Sequence, residues 1–246
     1  VIAQDITRYG MDWDGKPHLA DFLEELCKLD FHWIRLHYLY PEWIDDRLID
    51  VIAREDKILK YLDIPLQHCN DKILKKMNRR GDKKYLCALL DKLRERIPGL
   101  VLRTSIIAGL PGEGEEEFDE LCDFLREQKL LRAGVFPYSP EEGTRAAKME
   151  RVDSDEAARR AERIVDIQSE IIDAWNDERQ GDVMEVLCEG FDGQSMLFVG
   201  RSYAESPDID GRIYFSAPRD VAAGEFVPVR ITGAMDGELT GELAEE

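Results

Sequence analysis

Short apolar runs alternate with longer amphipathic stretches from the first residue to about Ser139. The runs are VIA at 1–3, FHWIRLHYL at 31–39, YLDIPLQ at 61–67, LVLRTSIIAG at 100–109 and AGVFPYS at 133–139. Between them, HLADFLEELCKL, EWIDDRLIDVIARE, KKYLCALLDKLRERI and EEEFDELCDFLREQ repeat apolar residues at the i, i+3, i+4, i+7 spacing that collects them on one helix face. Strand and helix alternating at this pace predict parallel βαβ units, hence an α/β sheet or barrel. Ligands of such sheets sit at the carboxyl ends of the strands, so the polar residues that end each run are the first candidates for a site.

Beyond the charged segment EEGTRAAKMERVD the pattern predicts one long helix from Asp153 to Gln180. Its apolar stripe is Ile164, Ile167, Ile171 and Trp175, widened by Val165 and Ile172. Asp153 with Glu156 suits its start and Gly181 its end. After Gly181 the apolar runs become short and are cut by Gly, Asp and Pro. Val227, Val229 and Ile231 alternate with Phe226, Pro228, Arg230 and Thr232, as in a half-buried strand. The chain therefore divides into an α/β part at 1–152, a connecting helix at 153–180 and a small all-β domain at 181–246.

Charge narrows the partners. The chain carries 52 acidic against 33 basic residues, a net charge of -19. From Gly181 onward there are 14 Asp/Glu and 4 Arg with no Lys, so that domain carries 4 minus 14, or -10. Direct nucleic-acid binding is not expected of such a surface, whereas a basic protein partner suits it. Cys27, Cys69, Cys87, Cys122 and Cys188 are scattered, with no metal-ligand spacing, and read as reduced thiols of a cytoplasmic protein. No apolar stretch approaches the length of a membrane span, and no membrane partner is expected. VIAQD reads as the end of a strand, which suggests a chain that begins inside a domain.

The loops sharpen this. RTSIIAGLPGEGEEEF, Arg103 to Phe118, reads as a buried strand, a tight turn and an acidic first helical turn. A phosphate cradle is excluded on local grounds: no basic residue lies between Ala108 and Leu125, and Glu113, Glu115, Glu116 and Glu117 occupy the anion's place and serve the helix dipole. In DIPLQHCND, His68 and Cys69 read as residues closing a strand, while Gln67 is placed to hydrogen-bond a ligand. Gln4 and Asp5 end the first run, where a carboxylate can hold an amino group. Arg35 and Arg103, if they face the interior, each demand an anion such as a ligand carboxylate. Two arginines and a carboxylate at one mouth fit a zwitterionic amino-acid ligand.

Five motifs in order, IAQDITRYG, WIRLHYLYPE, DIPLQHCNDKILKKMNRRG, RTSIIAGLPGEGEEEF and VFPYSPEEGTRA, resemble the radical S-adenosylmethionine (SAM) methylthiotransferases. Within them the chain is most similar to the RimO-type enzymes, which act on an aspartate of the twelfth small-subunit ribosomal protein. The resemblance implies a partial (β/α) barrel followed by a small all-β TRAM barrel. It implies SAM beside a 4Fe-4S cluster as the source of a deoxyadenosyl radical, and a second 4Fe-4S cluster through which the methylthio group is delivered. Carried over by motif, Gln4 and Asp5 lie near the methionyl amine and Gln67 near the sugar. Ile107 and Gly109 line the adenosine side, and Val135, Phe136 and Tyr138 complete the adenine pocket. Arg35 and Arg103 are the candidates for the SAM carboxylate. The family's C-x-x-x-C-x-x-C loop and its N-terminal domain have no counterpart here, so no catalytic residue or metal ligand is expected in this chain, which on its own should not cleave SAM. The alternatives are a transfer-RNA methylthiotransferase of the same superfamily and a non-catalytic module that binds a basic protein.

Overall fold

Aliphatic residues at alternating positions build one parallel sheet in the first part of the chain. The computed structural model describes residues 1–244. Two units emerge, Val1–Gln168 and Ser169–Glu246. In the first, β1 (Ile34–Leu36), β2 (Ile58–Asp63), β3 (Val101–Ala108) and β4 (Arg132–Pro137) run parallel in sequence order. Helices α1 (Met11–Asp14) and α2 (Leu19–Cys27) precede β1, and α3 (Asp46–Arg54), α4 (Asp71–Lys76), α5 (Lys83–Arg96) and α6 (Glu115–Gln128) separate the strands. Helix starts follow from side-chain caps. Asp45 accepts from the Leu48 amide, Asn70 from Lys72 and Ile73, and Asp82 from Tyr85, each relieving amides that have no partner within the helix.

Register decides which strand residues share a face. Asp63 pairs with Arg103 and Arg103 with Arg132, while Ser105, Ile107 and Ala108 pair with Gly134, Phe136 and Pro137. Alternation therefore places Tyr61, Asp63, Arg103, Ser105, Ile107, Arg132, Gly134 and Phe136 on one side. Leu62, Leu102, Thr104, Ile106 and Val135 take the other. Among these, Leu62, Leu102, Thr104 and Ile106 are buried.

The first run, VIA, is not a strand of this sheet. It lies along β1 through His37 N–H to Val1 O at 3.2 Å, and Ile6 N–H then reaches Tyr38 O at 3.2 Å. Regular pairing stops because Asp5 turns the chain into a 3-10 helix at Ile6–Arg8.

Helix α7 (Ser154–Glu178) begins as expected on Asp153, which accepts from the Asp155 amide at 2.9 Å. Glu156, however, pairs with Arg159 and Arg160 rather than folding back on the cap. Its buried stripe also differs from the expected one. Ala157, Arg160, Ala161, Ile164, Ile167 and Gln168 are buried in the first unit, whereas Val165 is 49% exposed. Polar residues on that stripe are each matched to a loop carbonyl: Gln168 Nε2 donates to Leu131 O at 2.6 Å and to Leu130 O at 3.0 Å.

In the second unit, β5 (Val183–Asp192), β6 (Leu197–Arg201), β7 (Ile213–Ser216), β8 (Phe226–Met235) and β9 (Glu238–Leu243) close into a barrel in the order β5-β6-β7-β9-β8. Val227, Val229 and Ile231 point inward as the alternation predicts, joined by Val186, Ile213, Phe215 and Leu239. Trp175 of α7 packs against this core, and Asn176 donates to Gly237 O at 3.0 Å. Gly200 and Gly241 let the strands crowd, since a Cβ at either would lie 2.5 Å from a neighbouring carbonyl oxygen. Full closure removes unpaired strand edges, which is what lets so small a β unit stand.

Candidate functional site

The side of the sheet that carries Asp63, Arg103 and Ile107 changes character along its length. At its base Arg103 donates to Asp63 at 2.9 Å, both buried, and His37 Nδ1 stands 3.7 Å from the other Asp63 oxygen. Burial pushes the Asp63 carboxyl up, but His37 and Arg103 outweigh it and hold the group below its ordinary value. The Arg35 guanidinium lies over the Tyr61 ring, 4.4 Å from its centroid. Towards the carboxyl ends this face opens. Ser105 and Ile107 are half-buried and Phe136 is 53% exposed. A Cβ at Gly134 would come within 3.1 Å of Phe136 and 3.3 Å of Arg103, so the glycine leaves room between them.

Gln67 sits where Pro65 interrupts β2 and the chain rejoins β3. Its N–H donates to Ser105 O at 2.8 Å, and its carbonyl accepts from Ile107 at 3.0 Å. Both backbone groups are thus used in the sheet, and the residue holds φ at +70°, a conformation non-glycine residues rarely adopt. Arg79 Nη1 donates to Pro65 O at 2.9 Å with its guanidinium over Tyr40, which steadies this strained segment. Asp5 Oδ1 accepts from the Thr7 amide at 3.0 Å, and Gln4 beside it is exposed. Tyr138 N–H donates to Ala108 O at 2.7 Å, while its buried hydroxyl oxygen has no hydrogen-bond partner among the described residues.

Of the sequence candidates, Arg103, Ile107 and Phe136 share one side of the sheet and Arg35 borders it, with Gln67 at its rim. The Val135 side chain faces the opposite way. Gly109 belongs to the turn after β3. Its φ is +80°, and a Cβ there would lie 2.5 Å from that of Ala157 on α7. We expect Gly109→Ala to destabilise the protein by roughly 2–4 kcal/mol through overpacking and left-handed strain, read as a lower urea midpoint.

The turn is organised by a carboxylate rather than by an anion. Glu113 is buried and its Oε1 accepts from Gly109 N–H at 2.9 Å and from Arg160 Nη1 at 2.8 Å. Its Oε2 faces His68 Nε2 at 3.3 Å. His68 Nδ1 accepts from the Asn70 amide at 2.9 Å, so Nε2 carries the proton and stands at ion-pair distance from Glu113 without an aligned hydrogen bond. Burial raises the Glu113 carboxyl, but His68, Arg160 and Gly109 overcome that and leave it below its ordinary value. Glu113 thus does not serve the helix dipole, unlike Glu115, Glu116 and Glu117 in the first turn of α6. The sequence reading missed this hub and Asp63 alike. Their partners lie 40 or more positions away for Arg103 and Arg160, and only strand register or helix docking brings them together.

Cys69, Cys122 and Cys188 are buried, and burial raises each thiol. Among the described residues no three His, Cys, Asp or Glu gather in a way that could hold a metal ion. No described helix is long and apolar enough to cross a membrane.

Residues 7–125 match the radical SAM superfamily and residues 181–244 the TRAM domain. Across the whole chain, 47% of positions are identical to ribosomal protein uS12 methylthiotransferase RimO of Symbiobacterium thermophilum, covering 100% of this chain and 51% of that protein. The RimO of Pelotomaculum thermopropionicum is also 47% identical, over 98% of this chain and 55% of its own length. Over 98–100% of its length this chain is similar to RimO proteins, with a radical SAM match followed by a TRAM match. It spans about half the length of the RimO proteins it matches. The fold resembles that of a radical SAM enzyme of known structure, Escherichia coli coproporphyrinogen III oxidase (HemN), with TM-score 0.52, 21% identity, and coverage of 64% of this chain and 39% of that one. The open sheet end combines a buried tyrosine hydroxyl without a partner among the described residues and an exposed aromatic ring.

Proposed function

We propose that this chain is the SAM-binding and TRAM-bearing part of an enzyme that adds a methylthio group to the β-carbon of an aspartate in ribosomal protein uS12. The observation that carries the reading is 47% identity to a RimO protein over all of this chain and 51% of that protein, supported by a sheet face that ends in an open, mixed polar and apolar surface. SAM bound beside a 4Fe-4S cluster supplies the radical chemistry for hydrogen abstraction. In this reading the cluster ligands, and those of the second 4Fe-4S cluster, lie outside these residues.

The chain's own residues bind and orient. Phe136 and Ile107 offer the apolar surface for adenine, Val135 contributes backbone, and the Tyr138 hydroxyl gains a partner from the ligand. Gln67, whose backbone is committed to the sheet, directs its side chain to the sugar. Asp5, with Gln4 beside it, holds the amino group through its second oxygen. Arg35 binds the carboxylate, while Arg103, already held by Asp63, contributes positive potential. Gly109 sets the turn that closes the pocket edge. The -10 charge of the TRAM part suits a Lys/Arg-rich ribosomal protein, a cytoplasmic substrate.

The test uses the full-length protein, anaerobically reconstituted with iron and sulfide. We expect 5'-deoxyadenosine from SAM and one methylthio group on uS12, located by mass spectrometry. Absence of both products with the clusters loaded would overturn the reading. Phe136→Ala should raise the KM for SAM about tenfold, equivalent to ~1.4 kcal/mol of lost ring contact, without changing the melting temperature.

A further inference from the structure

The whole-chain charge of -19 conceals a basic segment. Residues 72–84, KILKKMNRRGDKK, hold seven Lys/Arg and one Asp, a net charge of 7 minus 1, or +6. Asp82 is occupied as the cap of α5. Fold then adds to this segment. Lys72 and Lys76, one turn apart on α4, line a cavity of about 650 Å³ beside Gly112 together with Arg145 and Arg151 from the segment before α7. A Cβ on Gly112 would lie 1.7 Å from Lys76 Nζ, so the ammonium rests directly on the turn.

The local argument against an anion at GLPGEG therefore fails in three dimensions. Glu113 is neutralised within the core by Arg160, and Glu117 is taken by Lys72 at 2.6 Å and by Gly114 N–H at 2.8 Å. By contrast, no hydrogen bond or ion pair engages the side chains of Lys76, Arg145 or Arg151 among the described residues. With Glu113, Glu117 and Glu150 counted against the four cations, the cavity lining carries 4 minus 3, or +1. Just past the end of α4, Arg79 and Arg80 line a second cavity of about 240 Å³ together with Glu42, with Arg80 over the Trp43 ring at 5.8 Å. Cations that track along a surface, interleaved with an aromatic ring, match a phosphodiester backbone better than a single phosphate.

We infer that this strip, from the cavity beside Gly112 along α4 to Arg80, binds the phosphodiester backbone of RNA. The choice of RNA rests on the proposed ribosomal substrate, whose surroundings are phosphate-rich. An acidic protein elsewhere on its surface is then repelled by those phosphates, and the strip sets which side approaches.

The test needs neither SAM nor cluster, so its outcome is independent of the methylthiolation assay. A fluorescein-labelled single-stranded oligoribonucleotide is titrated with the chain and followed by anisotropy. With about four phosphate contacts, affinity should fall ~50-fold between roughly 50 and 200 mM salt. Lys76→Glu/Arg145→Glu/Arg151→Glu should weaken binding at least about tenfold at an unchanged melting temperature. A control triple with the same charge change, Lys16→Glu/Lys28→Glu/Arg126→Glu, should stay within about twofold. Equal loss in the control, no measurable binding, a flat salt dependence, or displacement of the RNA by polyglutamate of equal charge would each overturn the inference. The last would mark an acidic-peptide site instead.

Discussion

Replacing Asp63 by alanine is expected to cost about 3–5 kcal/mol, because it strips a buried guanidinium of its 2.9 Å partner in the middle of the sheet. A double replacement, Asp63→Leu with Arg103→Met, should recover most of the loss, since an apolar pair of similar volume leaves no uncompensated charge. Urea denaturation of the single and double variants checks both statements. A double variant no better than Asp63→Ala would show that the ion pair is not what holds this row.

The second large effect is expected at Glu113→Ala. That change removes the acceptor of Gly109 N–H and Arg160 and leaves the latter buried beside the turn, a loss of about 3–5 kcal/mol. The unfolding midpoint in urea should fall accordingly. Gln at the same position keeps an acceptor and should lose less. The pH dependence has a definite sign. Both Glu113 and Asp63 have folded carboxyls below their unfolded values of 4.5 and 3.8. Their stabilisation is therefore fully present above those values and is lost as pH falls through the lower, folded ones. Glu113→Gln and Asp63→Asn remove these titrating groups, so the acid limb of the stability curve should flatten in each variant.

Periodicity alone determined the element order. Apolar residues at helical spacing yield α2, α3, α5 and α6 near the expected places, and the run LVLRTSIIAG becomes β3 because β-branched residues suit a strand buried on its helix side. The inward alternation of Val227, Val229 and Ile231 was likewise legible, as one face of a closed barrel must be apolar. Local chemistry determined the caps, since Asp45, Asn70 and Asp82 act on amides within three residues. Ordered motifs made the family legible before any coordinates.

Tertiary structure alone decided the electrostatics. Asp63 meets Arg103, Glu113 meets Arg160, and Lys76 meets Gly112 across separations that no sequence window spans. Each meeting depends on strand register or on where a helix docks. Coulomb attraction acts through space and not along the chain, so the same GLPGEG turn that reads as acidic in sequence lies under four cations in the fold. What the turn repels or attracts is set by neighbours that only folding supplies.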